Sequence, residues 1–391
     1  MPHARSPSVN HAAAPAEPPV LFRFATRGAR TGAAVQSMVC RLATAVVRAP
    51  QCIALCPVGR LGLSGAQVYE ATIDGGRPYI FKIDDPPDIE QERQGAAALS
   101  NWTTDASLEN RDFIAEGDLA GLVYRHCGGD TDNAAERLRE LEDHIRKADV
   151  TATTSRLREF YRHTSALFSR AATPTSGDLI ELYEDKERNY IRRDADEDPA
   201  DRIAQVLRDV KAHFGDNIVD PRSVLERLRR HKSIPYTRGP VHGDLHPRNV
   251  VYDVNDQPHV IDFKWSTADA HQMVDYSLME ISLRFLWVPN GYDLRKGASL
   301  NRAMSFEVPR RFQVGRCYDS LGQFRLRVRE LVPIIREAAK DASRTAFWYN
   351  EYLVSLFLVL YGVLVYDSYN VPLAVHALGL LGNDLKERGV V

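Results

Sequence analysis

One stretch constrains this chain more than any other: Val241-His242-Gly243-Asp244-Leu245-His246-Pro247-Arg248-Asn249-Val250-Val251-Tyr252, followed shortly by Ile261-Asp262-Phe263. Polar residues that crowd turns alternate there with β-branched and aromatic residues that favour strands. The pattern predicts a tight loop, a strand, a turn and a return strand ending at Asp262. Asn249 lies five residues after Asp244, and Asp262 thirteen after Asn249, so a hairpin can gather all three side chains. Phosphoryl transfer asks a protein for positioning and charge neutralisation, which means a carboxylate at the acceptor hydroxyl and hard oxygen ligands for Mg2+. Any one of these residues alone reads as turn chemistry. The joint spacing, order and strand context argue for more.

At about 150 residues per domain, 391 residues leave room for two packed lobes and an appendage. Fifty basic against fifty-two acidic side chains give a net charge of −2 and no global field for a polyanion, so nucleic acid is not an expected partner. The five cysteines are odd in number and form no C-x-x-C, which predicts reduced thiols and a cytoplasmic setting. The uncharged run Tyr352 to Tyr366 is shorter than the about 20 residues a bilayer span needs, so a buried helix is expected and no membrane partner.

Residues 1–52 read as a disordered or basic arm. Pro18 to Tyr69 contains no acid, Arg23, Arg27, Arg30, Arg41, Arg48 and Arg60 punctuate it, and Ala33 to Arg48 suits a short helix. The folded region is expected to start near Ile53. Gln67 to Ile73 and Tyr79 to Ile83 read as a hairpin around Asp74-Gly75-Gly76. Asp88 can cap a helix reaching Leu99, and Gly121 to Arg125 reads as a strand. From Asp130 to about Pro235 the pattern is helical, with Asp220-Pro221 a further helix start and Glu184 to Arg202 a solvated charged surface. Gly59-Arg60-Leu61-Gly62-Leu63-Ser64-Gly65-Ala66 precedes the first hairpin strand with G-x-x-G-x-x-G spacing. It is not a Walker A, but its glycines would let backbone N–H groups approach a phosphate.

The loop and its I-D-F partner resemble the kinase-like phosphotransferases, above all the aminoglycoside phosphotransferase and choline kinase branch, whose H-G-D-x-x-x-x-N and I-D-F/W motifs are reproduced. The resemblance spans about Pro57 to Phe285. It implies an α+β, bilobal, protein-kinase-like fold: a small antiparallel β-rich N-lobe at 53–129 and a larger, mainly helical C-lobe at 130–391, with the catalytic loop at 241–263. Protein kinases usually carry Arg at Gly243, Lys at His246 and Gly at Lys264, so the small-molecule branch is favoured.

The resemblance further implies ATP and Mg2+ as cofactors and a hydroxyl-bearing small molecule as acceptor. Asp244 would be the catalytic base and His246 would touch the transferred phosphate. Asn249 and Asp262 would hold the metal, while His242 and Asp275 brace the loop. Gly62, Ser64, Gly65 and Ala66 would cover the phosphates, and Lys82 would orient them, held by Glu92 rather than Glu90. The backbone of Tyr124, Arg125 and His126 would meet adenine. The acids Asp194, Asp196, Glu197 and Asp198 suit a cationic acceptor. Two other readings stay open: a regulatory nucleotide-binding module with weak or no catalysis, docking a protein partner through its N-terminal arm in a bacterial multi-protein system, and a protein kinase or nucleotidyl transferase.

Overall fold

The computed structural model describes residues 18–22, 32–58, 66–100, 112–127, 138–147, 150–168, 171–185, 190–191, 198–214, 218–231, 233–285, 320–366 and 369–391. The architecture is mixed α+β. The chain divides into two compact units, Met1–Ile89 with Asn110–His126, and Glu90–Glu109 with Cys127–Val391.

The first unit is built on a six-stranded sheet. Its strands are β1 (Val20–Phe22), β2 (Ile53–Pro57), β3 (Gln67–Ile73), β4 (Pro78–Asp84), β5 (Phe113–Glu116) and β6 (Leu119–Arg125), in the spatial order β1-β2-β3-β4-β6-β5. All neighbours are antiparallel except β1 and β2. Alternation does the work in β3, where Gln67, Tyr69, Ala71 and Ile73 turn inward and the residues between them turn out. The hairpin turn places Asp74 and Gly75 at positive φ.

Two segments of the expected N-terminal arm belong to this unit. Helix α1 (Ala33–Val46) presents Val35, Met38, Val39, Leu42 and Ala43 at helical spacing, and these bury against Ile53, Leu55, Phe81 and Val123 of the sheet. Fully burying each larger aliphatic side chain is worth about 1.5–3 kcal/mol, which outweighs the basic character that suggested a loose arm. Arg41 stays at the surface and pairs with Glu116 at 2.7 Å. The folded chain therefore starts upstream of Ile53.

Helix α2 (Pro86–Ser100) crosses the division between the units. It starts at Pro86 rather than behind an Asp88 cap, because proline is tolerated in a first turn. Asp88 sits inside that turn, where the helix dipole favours its charge.

The second unit carries two three-stranded sheets among helices. In one, β10 (Val250–Tyr252) lies between β7 (Arg139–Glu140) and β11 (Pro258–Val260). In the other, β9 (Ile234–Val241) lies between β8 (Thr173–Gly177) and β12 (Thr267–His271). The helices are α3 (Leu141–Lys147), α4 (Val150–Phe168), α5 (Leu179–Tyr183), α6 (Pro199–Phe214), α7 (Pro221–Leu228), α8 (Met273–Phe285), α9 (Ser320–Ala342), α10 (Trp348–Gly362) and α11 (Val371–Glu387). The span expected to be wholly helical thus contains two strands, the two-residue β7 and β8, whose Thr-Pro-Thr-Ser-Gly sequence has no apolar alternation to announce it. Asp220 does cap α7, accepting from Arg222 N at 2.9 Å, with Pro221 at the first helical position.

Helix α8 is buried along its whole length and packs on α9 and α10. Tyr161 of α4 stacks on its Tyr276 with ring centroids 5.4 Å apart. Among the described residues Trp348–Val365 is long and apolar enough to cross a membrane by length and composition, and 83% of it is buried inside the unit. It is a core helix here.

Candidate active site

Strand β9 delivers the chain into the 242–249 loop, and three features force the loop's shape. Gly243 adopts φ +80, and a Cβ there would sit 2.2 Å from the carbonyl oxygen of Trp265. Only glycine fits both the angle and the contact. Next, the Asp275 carboxylate of α8 accepts the His242 N–H at 2.7 Å and the Gly243 N–H at 2.8 Å. Lastly, Ser266 Oγ donates to the His242 carbonyl at 2.9 Å. The His242 ring lies 5.5 Å from the Phe263 ring, and its Nε2 donates to the Ile261 carbonyl at 3.0 Å, because a carbonyl can only accept.

These contacts bring the two halves of the motif together. Asn249 Nδ2 donates to the Asp244 carbonyl at 2.9 Å, and the Asn249 carbonyl accepts the Ile261 N–H at 3.1 Å. Asp262 follows at φ +67, a left-handed conformation that aspartate tolerates better than most side chains. The Asp244 side chain is 22% exposed, and His246 Nε2 stands 3.7 Å from its Oδ2, beyond hydrogen-bond reach. His246 Nδ1 accepts the Arg248 N–H at 3.2 Å. Burial pushes the Asp275 carboxyl up, against the pull of His242 and its two backbone donors.

Helix α2 fixes the other half. Glu92 is 1% exposed, and its Oε1 accepts the Phe263 N–H at 2.8 Å. One turn later a Cβ on Gly95 would sit 1.9 Å from the Phe263 carbonyl oxygen, so the helix backbone lies directly on that peptide. This grip ties the helix from Glu90 onward to the second unit. Glu90 is engaged elsewhere: Arg93 donates to it at 2.6 and 2.8 Å, and those hydrogen bonds, with one from Gln94, hold its carboxyl at about 2.

In the first unit Lys82 is half-buried on β4, opposite Val68 of β3 and Leu122 of β6. Ala66 is buried, while Gly62, Ser64 and Gly65 lie outside the described residues. Tyr124 and Arg125 end β6 opposite Ile80 and Tyr79. His126 is buried next to Glu70, Nε2 to Oε2 3.8 Å, and burial pushes its imidazole down to about 4.

Asn249 and Asp262 fit a hard cation by their donor chemistry. The Asn249 amide commits its Nδ2 to the Asp244 carbonyl, which leaves Oδ1 as the atom for a ligand, and Asp262 adds a carboxylate. Among the described residues no three His, Cys, Asp or Glu side chains gather as a cation cage. A magnesium-type site of one carboxylate plus ligand phosphates and water needs none.

Beside the loop lies a cavity of about 430 Å³ lined by Asp178, Glu181, Asp185, Tyr190, Tyr236 and the Arg238–Asp269 ion pair. A Cβ on Gly243 would also meet the Tyr190 hydroxyl at 2.6 Å, so this cavity's wall touches the loop. Of the acids expected to attract a cation, Asp194, Asp196 and Glu197 lie outside the described residues. Asp198 instead caps α6, accepting the Ala200 N–H at 2.9 Å.

A family model described as "Phosphotransferase enzyme family" matches residues 60–270, more than half of the chain and the whole of the loop. The chain belongs to the phosphotransferase enzyme family. This is the kinase-like grouping that the loop motifs resemble, so the chain is a kinase-like phosphotransferase. A second model, "Ternary complex associated domain 9", matches residues 198–364. No curated protein matches.

Similar solved structures include an aminoglycoside phosphotransferase in ternary complex with ADP and hygromycin B. It is 13% identical, covers 84% of this chain and 93% of that one, and has a TM-score of 0.43. A fructosamine-3-kinase from Thermobifida fusca is 14% identical over 83% and 93%, with a TM-score of 0.41. An amicoumacin kinase in complex with AMP-PNP and Ca2+ is 14% identical over 85% and 88%, with a TM-score of 0.39. At those scores the family assignment rests on the sequence match.

Proposed function

We propose that this phosphotransferase moves the γ-phosphate of ATP to a hydroxyl of a small, amine-bearing molecule. The observation that carries the reading is the loop itself, where Asn249 ties to the Asp244 carbonyl on one side and to the peptide before Asp262 on the other. Asp244 accepts the acceptor's proton as its oxygen attacks the γ-phosphorus in line. The bond to the bridging oxygen breaks and ADP leaves. His246, on the same loop, would touch the transferred phosphate. Asn249 and Asp262 would hold Mg2+, which supplies neutralisation of phosphate charge when bound. Lys82, the 59–66 loop and the Tyr124–His126 backbone would serve the nucleotide. His242 and Asp275 brace the loop.

The cavity supports the acceptor class. Among its described lining residues the acids Asp178, Glu181 and Asp185 stand with one base, Arg238, which pairs with Asp269, so the wall is predominantly acidic and suits an ammonium.

General-base assistance is worth about 10²–10⁴ in rate, so Asp244→Asn should lower kcat by that factor while ATP affinity stays within about twofold. Wild-type turnover in this variant overturns the assignment. A second reading, a nucleotide-binding module within a protein assembly, draws support from the match to a ternary-complex-associated domain. It predicts Mg-ATP stabilisation with no phosphate transfer to hydroxylated amines.

A further inference from the structure

The segment that runs beside the loop grips it at the two positions just before Asn249. Strand β7 pairs with β10, so Glu140 stands opposite Val251 and Arg139 opposite Tyr252. Two residues on, the Glu142 N–H donates to the Pro247 carbonyl at 3.1 Å. The Glu142 side chain, 4% exposed, accepts from Arg248 Nε, and Arg248 Nη2 adds a longer contact at 3.4 Å. Main chain and side chain of one residue thus hold consecutive loop residues, and the next one is Asn249.

Glu142 also pairs with Arg146, one turn along α3, at 2.7 Å. Its burial is therefore balanced by two guanidinium groups, one on its own helix and one on the loop. Only the second carries information about where the loop sits.

We infer that Glu142 and Arg248 are a positioning pair that sets Asn249 for cation and nucleotide binding, an inference that rests on the phosphotransfer reading above. Neither residue needs to touch the reacting atoms. A planar guanidinium fork fixes orientation as well as distance, and the flanking Glu142–Pro247 hydrogen bond prevents the loop from pivoting about that fork.

Charge and geometry make opposite predictions, which makes the idea testable. Removing a positive side chain next to a cation site should tighten cation binding if charge alone matters. Removing a positioning contact should weaken it, by about 10–100-fold for outer partners of a metal ligand. The measurement is Mn2+ binding to the full chain in the presence of AMP-PNP, followed by electron paramagnetic resonance. R248M should bind Mn2+ about tenfold more weakly than wild type. R248K, which keeps the charge and loses the fork, should fall between them and serves if R248M does not fold. R146M removes the same charge from the same carboxylate and should leave Mn2+ affinity unchanged.

Wild-type or tighter binding in R248M overturns the pair's role, and so does an equal loss in R146M. Failure of the wild-type chain itself to bind Mn2+ with AMP-PNP overturns the phosphotransfer reading, and the role of the Glu142–Arg248 pair with it.

Discussion

Two carboxylates on α8, Asp275 and Glu280, are five residues apart, both buried, and solve burial in opposite ways. Asp275 has backbone partners, the N–H groups of His242 and Gly243, and burial pushes its carboxyl up. Glu280 has side-chain partners. Burial alone would raise it, but Arg284 and Arg336, with the Tyr352 hydroxyl, hold it at about 2. The first arrangement fixes a loop, and the second ties three helices, α8, α9 and α10, to each other. A buried charge therefore marks function only through what its partner does: Asp275 ends on the loop that bears Asp244, whereas Glu280 ends in the helical core.

The sharpest way to break this comparison is to remove Glu280. E280A leaves Arg284 and Arg336 buried without their counter-ion, and should cost about 3–5 kcal/mol in urea unfolding. Turnover per folded molecule should be nearly unchanged. D275N should do the reverse. An amide oxygen can serve one of the two N–H donors and its NH2 faces the other, so the stability cost is about 1–3 kcal/mol, while kcat falls more than stability accounts for. Equal loss of turnover in the two variants would erase the distinction.

Acid sharpens it further. Because Glu280 sits at about 2 in the folded chain, below its ordinary 4.5, its stabilisation is full above 4.5 and lost as pH falls toward 2. Asp275 is raised, so its contribution is present below its ordinary 3.8 and lost as pH rises through its folded value. Urea midpoints measured from pH 2 to pH 6 should rise less steeply in E280Q than in wild type, and more steeply in D275N. The smallest effect belongs to Glu90, a half-exposed surface partner of Arg93 on α2: E90Q should change stability by less than about 1 kcal/mol. A larger loss would mean that surface pairs matter here as much as buried ones.

Much of the architecture was legible where it depends on local pattern. The β3–β4 hairpin follows from alternation around Asp74-Gly75, α7 from its Asp-Pro start, and α10 from an apolar run. The 242–249 loop was legible because its chemistry is contiguous in the chain. Less visible was α1, where arginines among small residues suggested a loose arm until its apolar stripe met the sheet. Strand β8 was missed because Thr173–Gly177 carries no apolar pattern, and pairing with β9 alone makes it a strand.

What the sequence by itself determined was therefore the elements with a strong local pattern and the motif that marks the family, because period, turn preference and motif spacing act over a few residues. Tertiary structure decided who holds them. Glu92 meets Phe263 across 171 positions, Asp275 meets His242 across 33, and Arg248 meets Glu142 across 106. No periodicity encodes such partners, since they exist only once particular helix faces and strand edges have met and a buried donor must find an acceptor among whatever that packing brings near.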